Sequence, residues 1–311
     1  MKRVLVTGGT GFLGAALARL LVDEGYEVAA LIRASSNPWR LGAYFDKVKV
    51  IRGRLDEPSS YCRAVREFAG DTVMHLGWHG VAKQYRNDLS QVRINVCGSV
   101  ELFHIACDAG CKTFIGAGSQ AEYGFMTTQV NESSPTQPLT LYGAAKLATY
   151  TMLCQMAKER RVRFAWLRVF SVYGPQDDDS TLVSSLIRDF VARRCPSVTN
   201  AEQLWDYLYI DDAARAFREV GRVDAAGLFN IGSGKAPPLR ETICQIRDII
   251  DPALPIGFGE VPQPATGALS LQPSIARICE LTAWRPKVSL AEGIAKTVAA
   301  HPRVSEHGSE G

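Results

Sequence analysis

Tyr142 and Lys146 stand four residues apart, separated by Gly-Ala-Ala. On a helix that spacing puts a phenol and an ammonium on one face, one turn apart. Near the start of the chain, Val4-Leu-Val-Thr7 runs into Gly8-Gly-Thr-Gly11-Phe12-Leu13-Gly14 and then an amphipathic stretch. A strand, a glycine-rich turn and a helix start are how a dinucleotide pyrophosphate is held. Gly8 would permit the tight turn, Gly11 the close approach of phosphate, and Gly14 the packing of helix on strand. A proton donor and a dinucleotide loop together point to nicotinamide-dependent redox chemistry.

The elements that must position these groups can be read from periodicity. Val4–Val6, Val28–Ile32, Val48–Ile51, Val73–Leu76, Thr113–Ala117 and Phe164–Leu167 have the composition of strands. Between most of them lie helical stretches, at Leu13–Glu24, Cys62–Phe68, Val92–Ala109 and Gly143–Glu159. Such alternation predicts an α/β fold: a Rossmann-type, doubly wound parallel sheet. After Pro175 the rhythm changes. Leu182–Ala192 and Ala213–Val220 suit helices and Leu228–Ile231 a strand, while 232–286 is rich in Gly and Pro and suggests short helices. The expected organisation is a dinucleotide-binding domain over 1–174, returning at about 206–232. A smaller C-terminal substrate-binding domain would take 175–205 and 233–300, with a polar tail over 301–311.

Bulk properties narrow the class. With 311 residues, 46% hydrophobic and 22% charged, the chain can bury a full-sized core. No apolar run reaches the roughly 18–20 residues of a membrane helix, and Val4–Thr7 is too short for a signal peptide core, so a cytoplasmic protein without membrane contact is expected. The eight cysteines are scattered with no Cys-x-x-Cys pair, which favours reduced thiols and no metal. A net charge of +3 gives no support to nucleic-acid binding. Arg160, Arg161 and Arg163 read as a solvated cluster compensating a helix end.

The end of the second predicted strand bears on cofactor choice. NAD enzymes usually carry an acid there for the adenosine ribose, whereas this strand ends Ile32-Arg33-Ala-Ser35-Ser36. A guanidinium with nearby hydroxyls fits a 2′-phosphate. The alternative is a solvent-exposed arginine after a strand. Two further runs follow strands and so face the ligand crevice: Gly116-Ala-Gly-Ser119-Gln120-Ala-Glu-Tyr-Gly124 and Arg168-Val-Phe-Ser171-Val-Tyr-Gly-Pro175.

With these runs, the chain resembles an extended short-chain dehydrogenase/reductase, of the NAD(P)-dependent epimerase/dehydratase family that acts on nucleotide sugars. Trp205-Asp-Tyr207-Leu-Tyr-Ile-Asp-Asp212, Asn230-Ile-Gly-Ser-Gly234 and Trp284-Arg-Pro-Lys-Val-Ser-Leu-Ala-Glu-Gly293 extend the likeness over nearly the whole chain. The resemblance implies Tyr142 as acid/base, Lys146 as its activator and Ser119 as partner on the substrate oxygen. A phenol with a reference pKa of about 10 needs a nearby cation to ionise near neutrality. The implied cofactor-binding set is Gly8, Gly11, Phe12, Leu13, Gly14, Arg33, Ser35, Leu55, Leu76, Tyr142 and Lys146. Substrate contacts are expected from Trp78, His79, Gln120, Ser171, Trp205 and Tyr207, with a homodimer implied by resemblance.

Departures from the family pattern narrow the reaction. Dehydratases of the family carry Asp-Glu where this chain has Gln120 and Ala121, which argues against 4,6-dehydration. An arginine that often meets the nucleotide phosphates is replaced by Trp205, and a usual asparagine by Ser171. The adenine-contacting acid of a Gly-Asp-Leu run is replaced in Gly53-Arg54-Leu55. Arg54 would either stack on the adenine or pair with a surface acid. His79 would bind sugar or be an ordinary loop residue, and Asn95 would hold the backbone of the fourth strand. The reading that survives is an NADP(H)-preferring 4-ketoreductase of a 4-keto-6-deoxy sugar nucleotide, NAD(H) remaining possible. A C4 epimerase with tightly bound NAD is the alternative, and a non-catalytic dinucleotide sensor a further one. The nucleotide-diphosphate sugar is expected between the domains, touching the Val172–Gly174 turn and the Trp205–Tyr209 run.

Overall fold

The computed structural model describes residues 2–263 and 270–302. Its strands are β1 (Arg3–Thr7), β2 (Glu27–Ile32), β3 (Lys49–Arg52), β4 (Thr72–His75), β5 (Thr113–Ser119), β6 (Arg163–Val169), β7 (Ser171–Tyr173), β8 (Ser197–Val198), β9 (Tyr207–Tyr209), β10 (Gly227–Ile231) and β11 (Gly257–Phe258). Its helices are α1 (Phe12–Asp23), α2 (Cys62–Phe68), α3 (Cys97–Asp108), α4 (Leu141–Arg160), α5 (Leu182–Val191), α6 (Ile210–Arg222), α7 (Leu239–Ile250), α8 (Ala276–Leu281) and α9 (Leu290–Ala299).

Seven strands form one parallel sheet in the order β10-β6-β5-β4-β1-β2-β3. Side chains alternate between two apolar layers, as the two-residue period of a strand requires. Val4, Val6, Val28 and Ala30 join Leu17 of α1 and Phe217 of α6 on one face. Leu5, Ala29 and Leu31 join Phe68 of α2, Phe103 of α3 and Leu153 of α4 on the other. Burial on both faces is why these strands read as continuous apolar runs. The chain runs one way from β1 to β3 and the other way from β4 onward. The crevice therefore opens at the switch between β1 and β4, beyond the carboxyl ends of the strands.

Outside the sheet, β7 pairs with β9 and β8 with β11, both parallel. Phe190 of α5, Ile243 and Ile246 of α7 and Ile294 of α9 belong to the same apolar cluster as β1 and α1. The Trp284–Gly293 run is tied down through Asp212, which accepts from the Lys287 and Val288 N–H groups at 2.9 Å each.

Three expectations need correction. The stretch Val92–Ala109 is not one uniform helix: Gln91–Val96 forms a wide π-helical turn before α3 begins. The 232–286 segment holds a full twelve-residue helix, α7, with Thr242, Ile243 and Ile246 turned inward. Arg163 is not solvated. Its guanidinium donates to the carbonyls of Val220, Gly221, Val223 and Ala225 at 2.7–3.0 Å, capping the C-terminal end of α6. The tail from 303 onward lies outside the described residues.

Candidate active site

The glycine turn is shaped for an anion. Gly8 has φ +70°, and a Cβ there would lie 2.8 Å from the Gly77 nitrogen in the turn after β4. A Cβ on Gly14 would collide with the Gly8 carbonyl oxygen. Gly11 caps α1 without any side chain to take up its first N–H groups. Free amides at a helix start, beside a wall no side chain can fill, fit a pyrophosphate. Phe12 and Leu13 are half-buried in the first turn of α1, and Leu76 follows β4. Leu55 packs against Gly98 of α3, where its backbone leaves no space for a Cβ.

Thr7, just before the turn, anchors a buried chain of hydrogen bonds. It accepts from the Gly77 N–H at 2.9 Å and lies 2.8 Å from His75 Nδ1. His75 Nε2 lies 2.8 Å from Ser99 Oγ, which itself donates to the Asn95 carbonyl at 2.6 Å. Ser99 has one proton to give, so it must accept from His75 Nε2–H, and Thr7 then donates to Nδ1. Burial pulls the His75 pKa down to about 3, with the charge on Lys146 acting in the same direction. The imidazole is thus a neutral structural link between β1, β4 and α3.

Ser119 ends β5, and Tyr142 and Lys146 lie in the first two turns of α4, which Thr140 caps by accepting from the Gly143 N–H at 3.2 Å. All three are buried. The Ser119 hydroxyl lies near enough to Tyr142 to oppose the rise in its pKa, so the two side chains face one spot. Trp78 meets the Tyr142 ring edge-on, with centroids 6.2 Å apart. Burial raises the Tyr142 pKa, against smaller lowering effects of the Ser119 hydroxyl and the Arg86 charge.

Lys146, the expected activator of Tyr142, reaches the site from the same face of α4. Lys146 Nζ donates to the Ala117 carbonyl at 2.6 Å and sits 3.6 Å from the centroid of the Trp78 ring. It lies 6.0 Å from the Tyr142 centroid, and burial draws its own pKa down to about 7. A second cation beside the phenol, which sequence reading missed, is Arg86. Its Cζ stands 5.5 Å over the Tyr142 ring, and its carbonyl accepts the Tyr142 N–H at 2.8 Å. Arg86 comes from the irregular segment after β4, where no spacing could have flagged it.

That segment is held by the π-helical turn. Asn95 accepts from the His79 N–H at 2.7 Å and donates to the His79 carbonyl at 2.9 Å. Its anchor is therefore the loop beyond β4, a few residues past the strand itself. Gln91 accepts from Trp78 Nε1 at 2.8 Å and donates to the carbonyls of Gly80 and Tyr85. The His79 ring turns to Tyr85. π-Turns of this kind occur where side chains must be aimed at a site.

At the far end of the crevice, Ile32 is buried and Arg33 and Ser35 are exposed. The Arg33 side chain makes no hydrogen bond or ion pair with the described residues, leaving its fork free. Arg54 is instead paired with Asp56 at 2.6 Å. Gln120 is half-buried immediately beyond Ser119. On the other wall, Ser171 stands opposite Tyr207 in the β7–β9 register, and Trp205 Nε1 donates to Ser171 Oγ at 2.9 Å. Trp205 is half-buried beside Tyr207, so these three expected contacts do converge. Asp206 between them accepts from Ser233 N–H and Oγ at 2.8 and 2.9 Å, and its burial raises its pKa to about 6. Arg277 packs on Phe229 by the start of β10, away from the carboxyl ends of the strands.

Residues 4–232 match the model of the NAD dependent epimerase/dehydratase family, and the chain belongs to that family. The UDP-glucose 4-epimerase of Azospirillum brasilense is 26% identical over 98% of this chain and 93% of its own. The dTDP-4-dehydro-6-deoxyglucose reductase of Escherichia coli is 29% identical over 95% of this chain and 96% of its own. The solved UDP-glucose 4-epimerase of Thermus thermophilus, a complex with NAD, superimposes with a TM-score of 0.84 at 26% identity. That match covers 96% of this chain and 98% of the other. The fold is that of the extended short-chain dehydrogenases. Among the described residues no helix is long and apolar enough to cross a membrane, and no group of side chains could hold a metal.

Proposed function

We propose that this enzyme reduces the 4-keto group of a nucleotide-activated 4-keto-6-deoxy sugar with NADPH. The observation that carries the reading is the buried Ser119–Tyr142 pair at the end of β5, with Gln120 and Ala121 where a dehydrating enzyme would need carboxyls. The free Arg33 fork at the end of β2 supports NADP(H) over NAD(H). The full-length likeness to the E. coli reductase supports the reaction class.

The dinucleotide would be held by the Gly8–Gly14 turn, Phe12, Leu13, Leu55, Leu76 and Lys146, with Arg33 and Ser35 on the 2′-phosphate. The nicotinamide, when bound, supplies the hydride. Tyr142 gives its proton to the ketone oxygen, and Ser119 donates a second hydrogen bond to the same atom. A phenol whose pKa is raised by burial arrives protonated at neutral pH, which is the state a reductase requires. The segments 175–205 and 233–300 form the substrate-binding domain in this reading. Trp205 offers it an apolar face where relatives use arginine, beside Ser171 and Tyr207, with Trp78, His79 and Gln120 on the opposite wall.

The likeness to the Azospirillum and Thermus enzymes favours a second reading, a nucleotide-sugar C4 epimerase. Cofactor content separates the two. The reductase is expected to purify nearly empty or with exchangeable NADP(H). Stoichiometric oxidised NAD that survives gel filtration would establish the epimerase instead.

A further inference from the structure

Behind Ser119 lies a buried carboxylate that the reaction as written does not use. Glu122 closes the turn after β5, and its oxygens take three hydrogen bonds. Oε1 accepts from the Ser119 N–H at 2.8 Å and from Trp166 Nε1 at 2.9 Å, while Oε2 accepts from Arg168 Nε at 2.7 Å. Ser119 Oγ accepts in turn from the Ala121 N–H at 3.2 Å, which makes the turn a reciprocal cap. Arg168 lies 4.3 Å over the Tyr123 ring, with its Nη1 buried and unpartnered. Apolar side chains could join these strands without the cost of desolvating two charges, so the pair calls for a purpose.

We propose that Glu122 is a positioning residue for the reaction: its carboxylate pins the Ser119 backbone and sets the charge balance around Tyr142 and Lys146. The inference rests on the proposed roles of Ser119, Tyr142 and Lys146. Tyr142 is faced by Ser119 from β5, by Arg86 and Trp78 from the segment after β4, and by Lys146 from its own helix. Lys146 is faced by Trp78, by Trp166 of β6 and by neutral His75 of β4. Glu122 borders both groups: it holds the Ser119 N–H beside Tyr142, and the Trp166 ring whose Nε1–H it accepts has its centroid 5.8 Å from Lys146 Nζ. Its charge acts on both. A nearby negative charge keeps an amine protonated and opposes phenolate formation. Glu122 therefore biases both Lys146 and Tyr142 toward their protonated forms, adding to burial at Tyr142 and opposing it at Lys146.

Glu122→Gln keeps the shape and an acceptor oxygen but removes the charge. Glu122→Asp keeps the charge but shortens the reach to Ser119. Lys146 is titrated by NMR in protein carrying isotope-labelled lysine, its signal assigned by loss in Lys146→Met. This readout needs no substrate, so it stands even if the reductase reading fails. In Glu122→Gln the Lys146 titration is expected to fall by about half to one pH unit, and the basic limb of kcat/KM with it. In Glu122→Asp the titration stays near that of the wild type while kcat drops. If unpaired Arg168 keeps Glu122→Gln from folding, the double variant Glu122→Gln/Arg168→Met is expected to give a smaller shift in the same direction. The lost Arg168 charge offsets only part of it, because it lies on the far side of the carboxylate, over Tyr123. An unmoved Lys146 titration in the charge-removed protein, or a loss of activity equal at every pH, would overturn the proposal.

Discussion

The crevice above the sheet has a buried end and an exposed end, built on opposite principles. At the buried end, Ser119, Tyr142, Lys146 and Glu122 are almost out of water. Burial is the main influence on the protonation of Tyr142 and Lys146, with the Glu122 charge acting on both. At the exposed end, Arg33 and Ser35 keep their solvent and their freedom. Burial suits proton transfer, because it makes each charge count. Exposure suits the selection of a charged ligand, because a solvated guanidinium gives up little before it meets phosphate. Changes at the first end should alter turnover, and changes at the second should alter which cofactor binds.

The largest effect is expected from Tyr142→Phe. Cofactor affinity should hold, while turnover falls by at least about a hundredfold, the usual reach of general acid catalysis. Near-normal turnover would mean that the buried end is not the reacting end. Next comes Arg33→Ala, expected to weaken NADPH binding roughly ten- to hundredfold and leave NADH unchanged. Titrating both cofactors against both proteins measures it, and equal losses for the two would remove the phosphate-reading role.

The burial of Lys146 makes the stability of the protein depend on pH. Its folded pKa of about 7 lies below the ordinary 10.5 of a lysine, so the folded protein releases this proton first. The cost of burying the ammonium is fully present below pH 7 and is relieved as pH rises from 7 toward 10.5. Lys146→Met is therefore expected to gain thermal stability relative to the wild type at pH 6, by about 2–6 °C. That advantage should shrink by pH 9. Melting curves at the two pH values test it, and a gap independent of pH would contradict a buried, charged Lys146. The smallest effect is expected at Arg54, whose exposed pair with Asp56 leaves it little to offer the adenine. Arg54→Ala should change the affinity for either cofactor by less than about threefold.

Much of the fold was legible because parallel strands covered on both faces spell apolar runs, as in Val28–Ile32 and Phe164–Leu167. The π-helical turn was not, since it exists to aim Gln91 and Asn95 at a loop that has no periodicity of its own. β7 and β9, three residues each, are too short to show a pattern. Arg163 looked solvated because its acceptors, at the end of α6 and just beyond it, lie far along the chain. In the site, Ser119, Tyr142 and Lys146 could be found from local spacing. What each one touches could not: the partners of Lys146 come from β5 and from the loop after β4, and only the folded chain joins them. Glu122 was readable in principle, because Ser119-Gln-Ala-Glu122 is the spacing of a capping box.

The central claim, that the buried end protonates a ketone while NADPH is consumed, is tested most directly by following NADPH absorbance. The purified enzyme is mixed with 4-keto-6-deoxy sugars carried on different nucleoside diphosphates. The account expects stoichiometric oxidation of NADPH with at least one of them, lost in Tyr142→Phe. Interconversion of UDP-glucose and UDP-galactose without any consumption of NADPH would contradict it.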